Sequence, residues 1–272
     1  MSFDTFQSDT TELLSRNAII AFLIRDQTTT TTTTTIMSES SSTPKKQQEE
    51  RILVLYGSHS GTAERVAETL CAEIPEKLSP ELEQKHNIVV QAVGPLALDD
   101  FLQQPAWTRL VIIVVSSFGL GHAPRNARQF RKLCDHWVKE FPQSHHDKKG
   151  DKDDDDDDNN GSNNKNDDKP KRPLVGLQFA MLGLGSSMYS TYQQNPTAIA
   201  NGLIAAGATL VGDRGSADSA AGEAPQQEEI TEWCQGLWQP LQQALLSLLD
   251  GDKTVVPTDE QLQAMNEKTV LA

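Results

Sequence analysis

Residues 51–74 read "RILVLYGSHSGTAERVAETLCAEI". The first part, "RILVLYG", is a short apolar run of strand length. The last part carries Val66, Leu70 and Ile74 at a spacing of four, which is one face of a helix. Between them lies "GSHSGT", a turn of two glycines and three hydroxyl residues. The stretch is therefore strand, loop and helix in sequence. The same unit recurs down the chain. "NIVVQAV" (87–93) is followed by "LDDFLQQ". "RLVIIVVSS" (109–117) is followed by "APRNARQFRKLCDHW", with Phe130, Leu133 and Trp137 in helical step. "LVGLQFAMLGLG" (174–185) leads to "PTAIANGLIAAG", and "ATLVGD" (208–213) leads to the long "EEITEWCQGLWQPLQQALLSLL". The third run is continuously apolar from Leu110 to Val115 and the fourth nearly so, as in strands covered on both faces. Five β-α units of this kind predict an α/β fold: a doubly wound, five-stranded parallel sheet with helices on both faces, in three α/β/α layers.

The remainder of the chain does not follow this pattern. Residues 1–50, with the threonine run 28–35, have no apolar periodicity and are expected to form a disordered low-complexity tail. Met37 offers a second start within it. The segment at about 143–172 holds "DKDDDDDDNNGSNNKNDDK" and is expected to be a disordered acidic insertion in a surface loop. It lacks the closing Glu and the fixed Gly of an EF-hand. The domain proper is placed at 51–249, with 250–272 as a C-terminal tail. A formal charge of −14 argues against nucleic-acid and anionic-membrane partners. No apolar run approaches the ~20 residues of a membrane span. The acidic residues near the start are unlike those of a targeting signal. Cys71, Cys134 and Cys234 are scattered and odd in number, which suggests reduced thiols and a cytoplasmic protein.

In a doubly wound sheet, ligands bind at the carboxyl ends of the strands, where strand order reverses. Three loops there carry chemistry. In "GSHSGT", the hydroxyls of Ser58, Ser60 and Thr62 join the unpaired N–H groups at the start of a helix, and Gly57 and Gly61 allow close approach. This is a phosphate cradle without lysine. It lacks the G-K-[ST] ending of a Walker A loop and is not a G-x-G-x-x-G fingerprint. "SSFGLGHAPRNARQF" presents Phe118 at a strand end, with Gly119 and Gly121 around Leu120. "LGLGSSMYSTYQQNP" holds Tyr189 and Tyr192, two of the three tyrosines of the chain. Aromatic residues in two facing loops suit a planar ligand.

"VLYGSHSGTAERVAETL", "VVSSFGLGHAPRNARQF", "AMLGLGSSMYSTYQQ" and "GDRGSAD…EEITEWCQGLWQPL" together resemble the flavodoxin domain of diflavin reductases and their short free-standing relatives. The resemblance implies FMN as cofactor. It implies that Ser58, His59, Ser60, Gly61, Thr62 and Ala63 wrap the phosphate. Ser116, Ser117, Phe118 and Gly119, with Leu120 and Gly121, would hold the isoalloxazine edge. The segment Leu184, Gly185, Ser186, Ser187, Met188, Tyr189, Ser190, Thr191, Tyr192 and Gln193 would supply the stacking residue, best matched by Tyr189. The chain departs from the family at Leu120, His122 and Arg125, where acidic residues are usual, and at Ser186 and Met188. His59 stands where Gln or Thr is common.

The function implied is one-electron carriage by FMN between a separate NAD(P)H-dependent reductase and an acceptor protein, by a monomer with no catalytic side chain and no metal. The 23 or so residues after the domain are too few for a nicotinamide-reading domain, so hydride transfer from NADPH is not expected of this chain. Two other readings stand beside it: an interaction module that keeps the fold without FMN, and a small FMN-dependent oxidoreductase acting on a quinone-like substrate.

Overall fold

Side chains of successive strand residues point to opposite faces of the sheet, and this alternation sorts the core into two layers. In a computed structural model, which describes residues 47–142, 171–249 and 257–270, Leu53, Leu55, Val111, Ile113, Val115, Phe179 and Met181 face one cluster. Their neighbours Ile52, Val54, Ile112, Val114, Ala180 and Leu182 face the other. The strands are β1 (Gln48–Gly57), β2 (Ile88–Ala97), β3 (Leu110–Ser116), β4 (Gln178–Gly185), β5 (Thr209–Leu210) and β6 (Gly215–Asp218). They run parallel in the order β2-β1-β3-β4-β5, with β6 also on β4. Helices α1 (Thr62–His86) and α5 (Glu223–Leu249) cover one face. Helices α2 (Leu98–Phe101), α3 (Arg128–Glu140) and α4 (Gln194–Ala205) cover the other. The expected three-layer, doubly wound parallel sheet is what the chain forms. Among the described residues no helix is long and apolar enough to cross a membrane.

Four boundaries differ from the sequence expectation. Strand β1 starts at Gln48, inside the expected tail, because Gln48, Glu49 and Glu50 continue the ladder against Ile88, Val89 and Val90. The pairing of β1 with β3 begins only at Ile52, so this first stretch has a neighbour on one side alone and tolerates charge. Glu50 is buried there beside Arg109, at 3.7 Å. Helix α1 runs past Ile74 through Pro75 and Pro80, since Leu78 and Leu82 extend the buried stripe of Val66, Leu70 and Ile74. The edge strand is divided. Thr209–Leu210 and Gly215–Asp218 both pair with β4, and the break between them includes Gly212 at φ +65°. The C-terminal segment carries helix α6 (Asp259–Val270), whose Met265 is buried in the core and whose Asn266 Oδ1 accepts a hydrogen bond from Trp107 N at 3.0 Å. Residues 1–46 of the expected tail and 143–170 of the expected acidic insertion lie outside the described residues. Leu174 and Leu177, just after it, are fully buried.

Candidate functional site

The three loops singled out above leave the carboxyl ends of β1, β3 and β4, which are neighbours in the sheet. From β1 the chain goes through α1 to β2 on one side and then returns to β3 on the other, so strand order reverses between β1 and β3. The loops converge at that point.

The first loop begins at Gly57, where a Cβ would stand 2.8 Å from Ala127 Cβ and Val115 Cγ2. The next residue donates from Ser58 N to Asn126 Oδ1 at 3.0 Å. Gly61 N donates to Ser58 Oγ at 2.9 Å, and Gly61 takes φ +90°, which turns the chain into α1. No side chain caps that helix. Its first N–H groups and the positive end of its dipole therefore face outward. Behind the loop, Tyr56 Oη donates to Glu64 Oε1 at 2.8 Å, tying the strand end to the first turn of the helix. Burial, reinforced by the Glu64 carboxylate, pushes the Tyr56 phenol up to about 12.

The second loop is a tight reversal. Phe118 and His122 exchange two backbone hydrogen bonds of 2.9 Å across Gly119 and Gly121, and Leu120 stands at the apex. It is anchored by Asn195, a fully buried side chain at the start of α4. Asn195 Nδ2 donates to Ser116 O at 2.9 Å, and Asn195 N donates to Ser117 Oγ at 3.2 Å. Arg131 Nη1 in turn donates to Asn195 Oδ1 at 3.2 Å. In the third loop, Tyr189 N donates to Ser186 O and Tyr192 N to Tyr189 O, which winds the segment into turns. Ser187 N donates to Asp218 Oδ1 at 2.8 Å, linking this loop to the end of β6. The Ser187 hydrogen bonds, with that from Ala220 N, hold the Asp218 carboxyl below the usual range.

These loops enclose a cavity of about 470 Å³. The size is that of a small-molecule or cofactor site. Of the expected residues, Ser58, His59, Ser60, Thr62, Ala63, Ser116, Ser117, Phe118, Gly119, Leu184, Gly185, Ser186, Tyr189, Thr191 and Tyr192 line it. The His59 and Phe118 rings meet at 3.6 Å between centroids, joining the first loop to the second. Gly61, Leu120, Gly121, Ser187, Met188, Ser190 and Gln193 do not line the cavity. Gly61 shapes the turn. Gly121 gives room to Gln194, whose Oε1 would be 2.1 Å from a Cβ. Gln193 is buried in a left-handed conformation (φ +59°), and its Nε2 donates to Gly183 O at 2.8 Å, so it braces the loop from behind. Leu120 and Met188 are 74% and 79% exposed on the rim, alongside Tyr189 at 57% and Phe118 at 43%.

The structure adds residues that the loop motifs do not contain. Ser219 and Gln226 also line the cavity, from beyond β6 and from α5. Ser219 Oγ and Ser219 N both donate to Gly185 O. Asn126 and Asn195, which lie within the second and third loop stretches, do not line the cavity but fix the loops that do. No local pattern marks Ser219 and Gln226; only the tertiary fold brings them to the site.

The flavodoxin family profile matches residues 54–233. The chain belongs to the flavodoxin family. Similar curated proteins include an NADPH–cytochrome P450 reductase of Phanerodontia chrysosporium, 25% identical over 196 residues, covering 72% of this chain and 22% of the relative. A bifunctional cytochrome P450/NADPH–P450 reductase of Bacillus cereus is 31% identical over 188 residues, covering 69% of this chain and 13% of the relative. This flavodoxin-family chain thus spans a quarter or less of the length of both. Among solved structures, oxidised flavodoxin 2 from Bacillus cereus aligns over 67% of this chain and 94% of its own, at 18% identity and a TM-score of 0.38.

Proposed function

We propose that this flavodoxin-family chain binds FMN in the cavity at the ends of β1, β3 and β4, and carries electrons between a separate NAD(P)H-dependent reductase and an acceptor protein. The observation that carries this reading is the convergence of three loops on one cavity at the β1/β3 reversal, with an uncapped helix start at one end and exposed aromatic side chains at the other. FMN at this reversal point is a general property of the flavodoxin fold and not a result peculiar to this chain.

The residues present fit the cofactor. At the α1 end, unpaired backbone N–H groups and the Ser60 and Thr62 hydroxyls suit a phosphate. At the other end, Tyr189 and Phe118 offer faces for a flat ring, and open space surrounds Gly119, where a Cβ would meet nothing within 4 Å. When bound, FMN supplies the capacity to take up and hand on electrons. The chain's own part is to orient the ring, hold the phosphate and keep water from the buried side. Leu120, Met188, Tyr189 and Phe118 leave an apolar rim around the opening, which favours docking of another protein over enclosure of a small substrate. The NADPH–cytochrome P450 reductases among its relatives support a reductase as electron source.

Stopped-flow or steady-state absorbance tests the carrier reading. The FMN-loaded chain mixed with NADPH alone is expected to leave NADPH unoxidised, and added catalytic reductase is expected to bleach the flavin bands. Sustained NADPH oxidation by the chain alone, stimulated by a quinone, would contradict carriage and support the enzyme reading.

A further inference from the structure

We infer that Arg65 is the residue that makes this site select a phosphorylated flavin over its unphosphorylated form; this rests on the FMN reading above. The cradle loop itself contains no lysine or arginine. Arg65 lies on the first turn of α1, outside the lining of the cavity and at the head of the groove between α1 and α5, and its side chain reaches back toward Thr62, which borders both. Its Nη2 donates to Thr62 Oγ1 at 3.4 Å, and its Nη1 is 3.5 Å from the position a Cβ on Gly61 would take. A cation at the positive end of a helix dipole is unfavourably placed unless an anion sits there too. Among the described residues no carboxylate pairs with Arg65. The nearest acid in sequence, Glu64, is held by Tyr56. The uncapped helix start and the guanidinium, which has no carboxylate partner among the described residues, therefore add their positive potentials at one corner, beside the hydroxyl of Thr62. A phosphomonoester of two negative charges is the ligand group that matches it. The other candidate cation, His59, is stacked on Phe118 and belongs to the wall of the cavity.

The test is titration of the apoprotein with FMN and, separately, with riboflavin, followed by flavin fluorescence. Arg65 is exposed, so Arg65→Ala is expected to fold, which circular dichroism checks. Arg65→Ala should raise the FMN Kd about tenfold, the scale of one charge-assisted hydrogen bond, and change the riboflavin Kd by less than about twofold. The dependence of the FMN Kd on salt should also flatten, which a loss of packing would not produce. Arg65→Lys should recover part of the discrimination. Equal shifts for both flavins, or an unchanged FMN Kd, overturn the role of Arg65 while leaving FMN binding standing. Failure of the unaltered chain to bind FMN overturns both.

Discussion

Thr62→Asp is expected to abolish useful FMN binding while leaving the apoprotein at least as stable as before. Thr62 is the first residue of α1 and lines the cavity. An aspartate at a helix start interacts favourably with the dipole, by about 0.3–1 kcal/mol. The same carboxylate would stand in the cradle against a phosphate. Two like charges at about 4 Å repel by roughly 4 kcal/mol at the effective dielectric of a partly solvated site. Discounted for relaxation and salt, the loss in affinity should still exceed about a hundredfold. Thermal denaturation and FMN titration of the same variant read the two effects with opposite signs. A simple packing defect would lower both stability and affinity. Unchanged FMN affinity would remove the phosphate from this corner.

Gly202→Ala is expected to be the most damaging single methyl group in the α3–α4 layer. Gly202 lies in α4 against α3, and a Cβ there would stand 2.3 Å from Cys134 Cβ, 2.5 Å from Cys134 Cα and 2.8 Å from Cys134 O. Two of these atoms are backbone, so no rotamer change relieves the clash, and the two helices must separate. Overpacking of this kind costs about 1–3 kcal/mol, and a backbone contact places it at the upper end or beyond. For a domain of this size, about 3 kcal/mol corresponds to a fall of roughly 6–12 °C in Tm. The effect also reaches the site, because the first turn of α4 carries Asn195, which holds Ser116 and Ser117. The variant should therefore bind FMN more weakly even below its melting temperature. A Tm within about 1 °C of the parent would show that the two helices are not in this contact.

The central strands were legible because they are covered on both faces, and residues 110–115 have no polar side chain to confuse the pattern. The start of β1 was not, since Gln48, Glu49 and Glu50 are held by backbone pairing with β2 and not by apolar side chains. The helical stretch read after the first loop stops at Ile74, whereas α1 continues through Pro75 and Pro80 because Leu78 and Leu82 extend its buried stripe. Helix α6 was hidden because its attachment rests on Met265, Asn266 and the packing of Leu262, too few contacts to leave a periodic signal. At the site, glycines, hydroxyls and tyrosines in three loops pointed to the cavity from sequence. Gln193 is expected at the ligand by position; its side chain is buried and braces the loop through Gly183 O. Ser219 and Gln226 come to the cavity only by folding, and nothing local marks them, whereas Arg65 reaches Thr62 from one turn further along the same helix.

The central claim is that the cavity takes FMN. Its most direct measurement is the visible absorbance and flavin fluorescence of the purified chain, as isolated and during titration with FMN. The account predicts flavin bands near their usual positions, saturation at one FMN per chain and loss of binding in Thr62→Asp. A colourless protein whose spectrum and fluorescence titration show no binding of added FMN would contradict it, and would leave the fold as an interaction module.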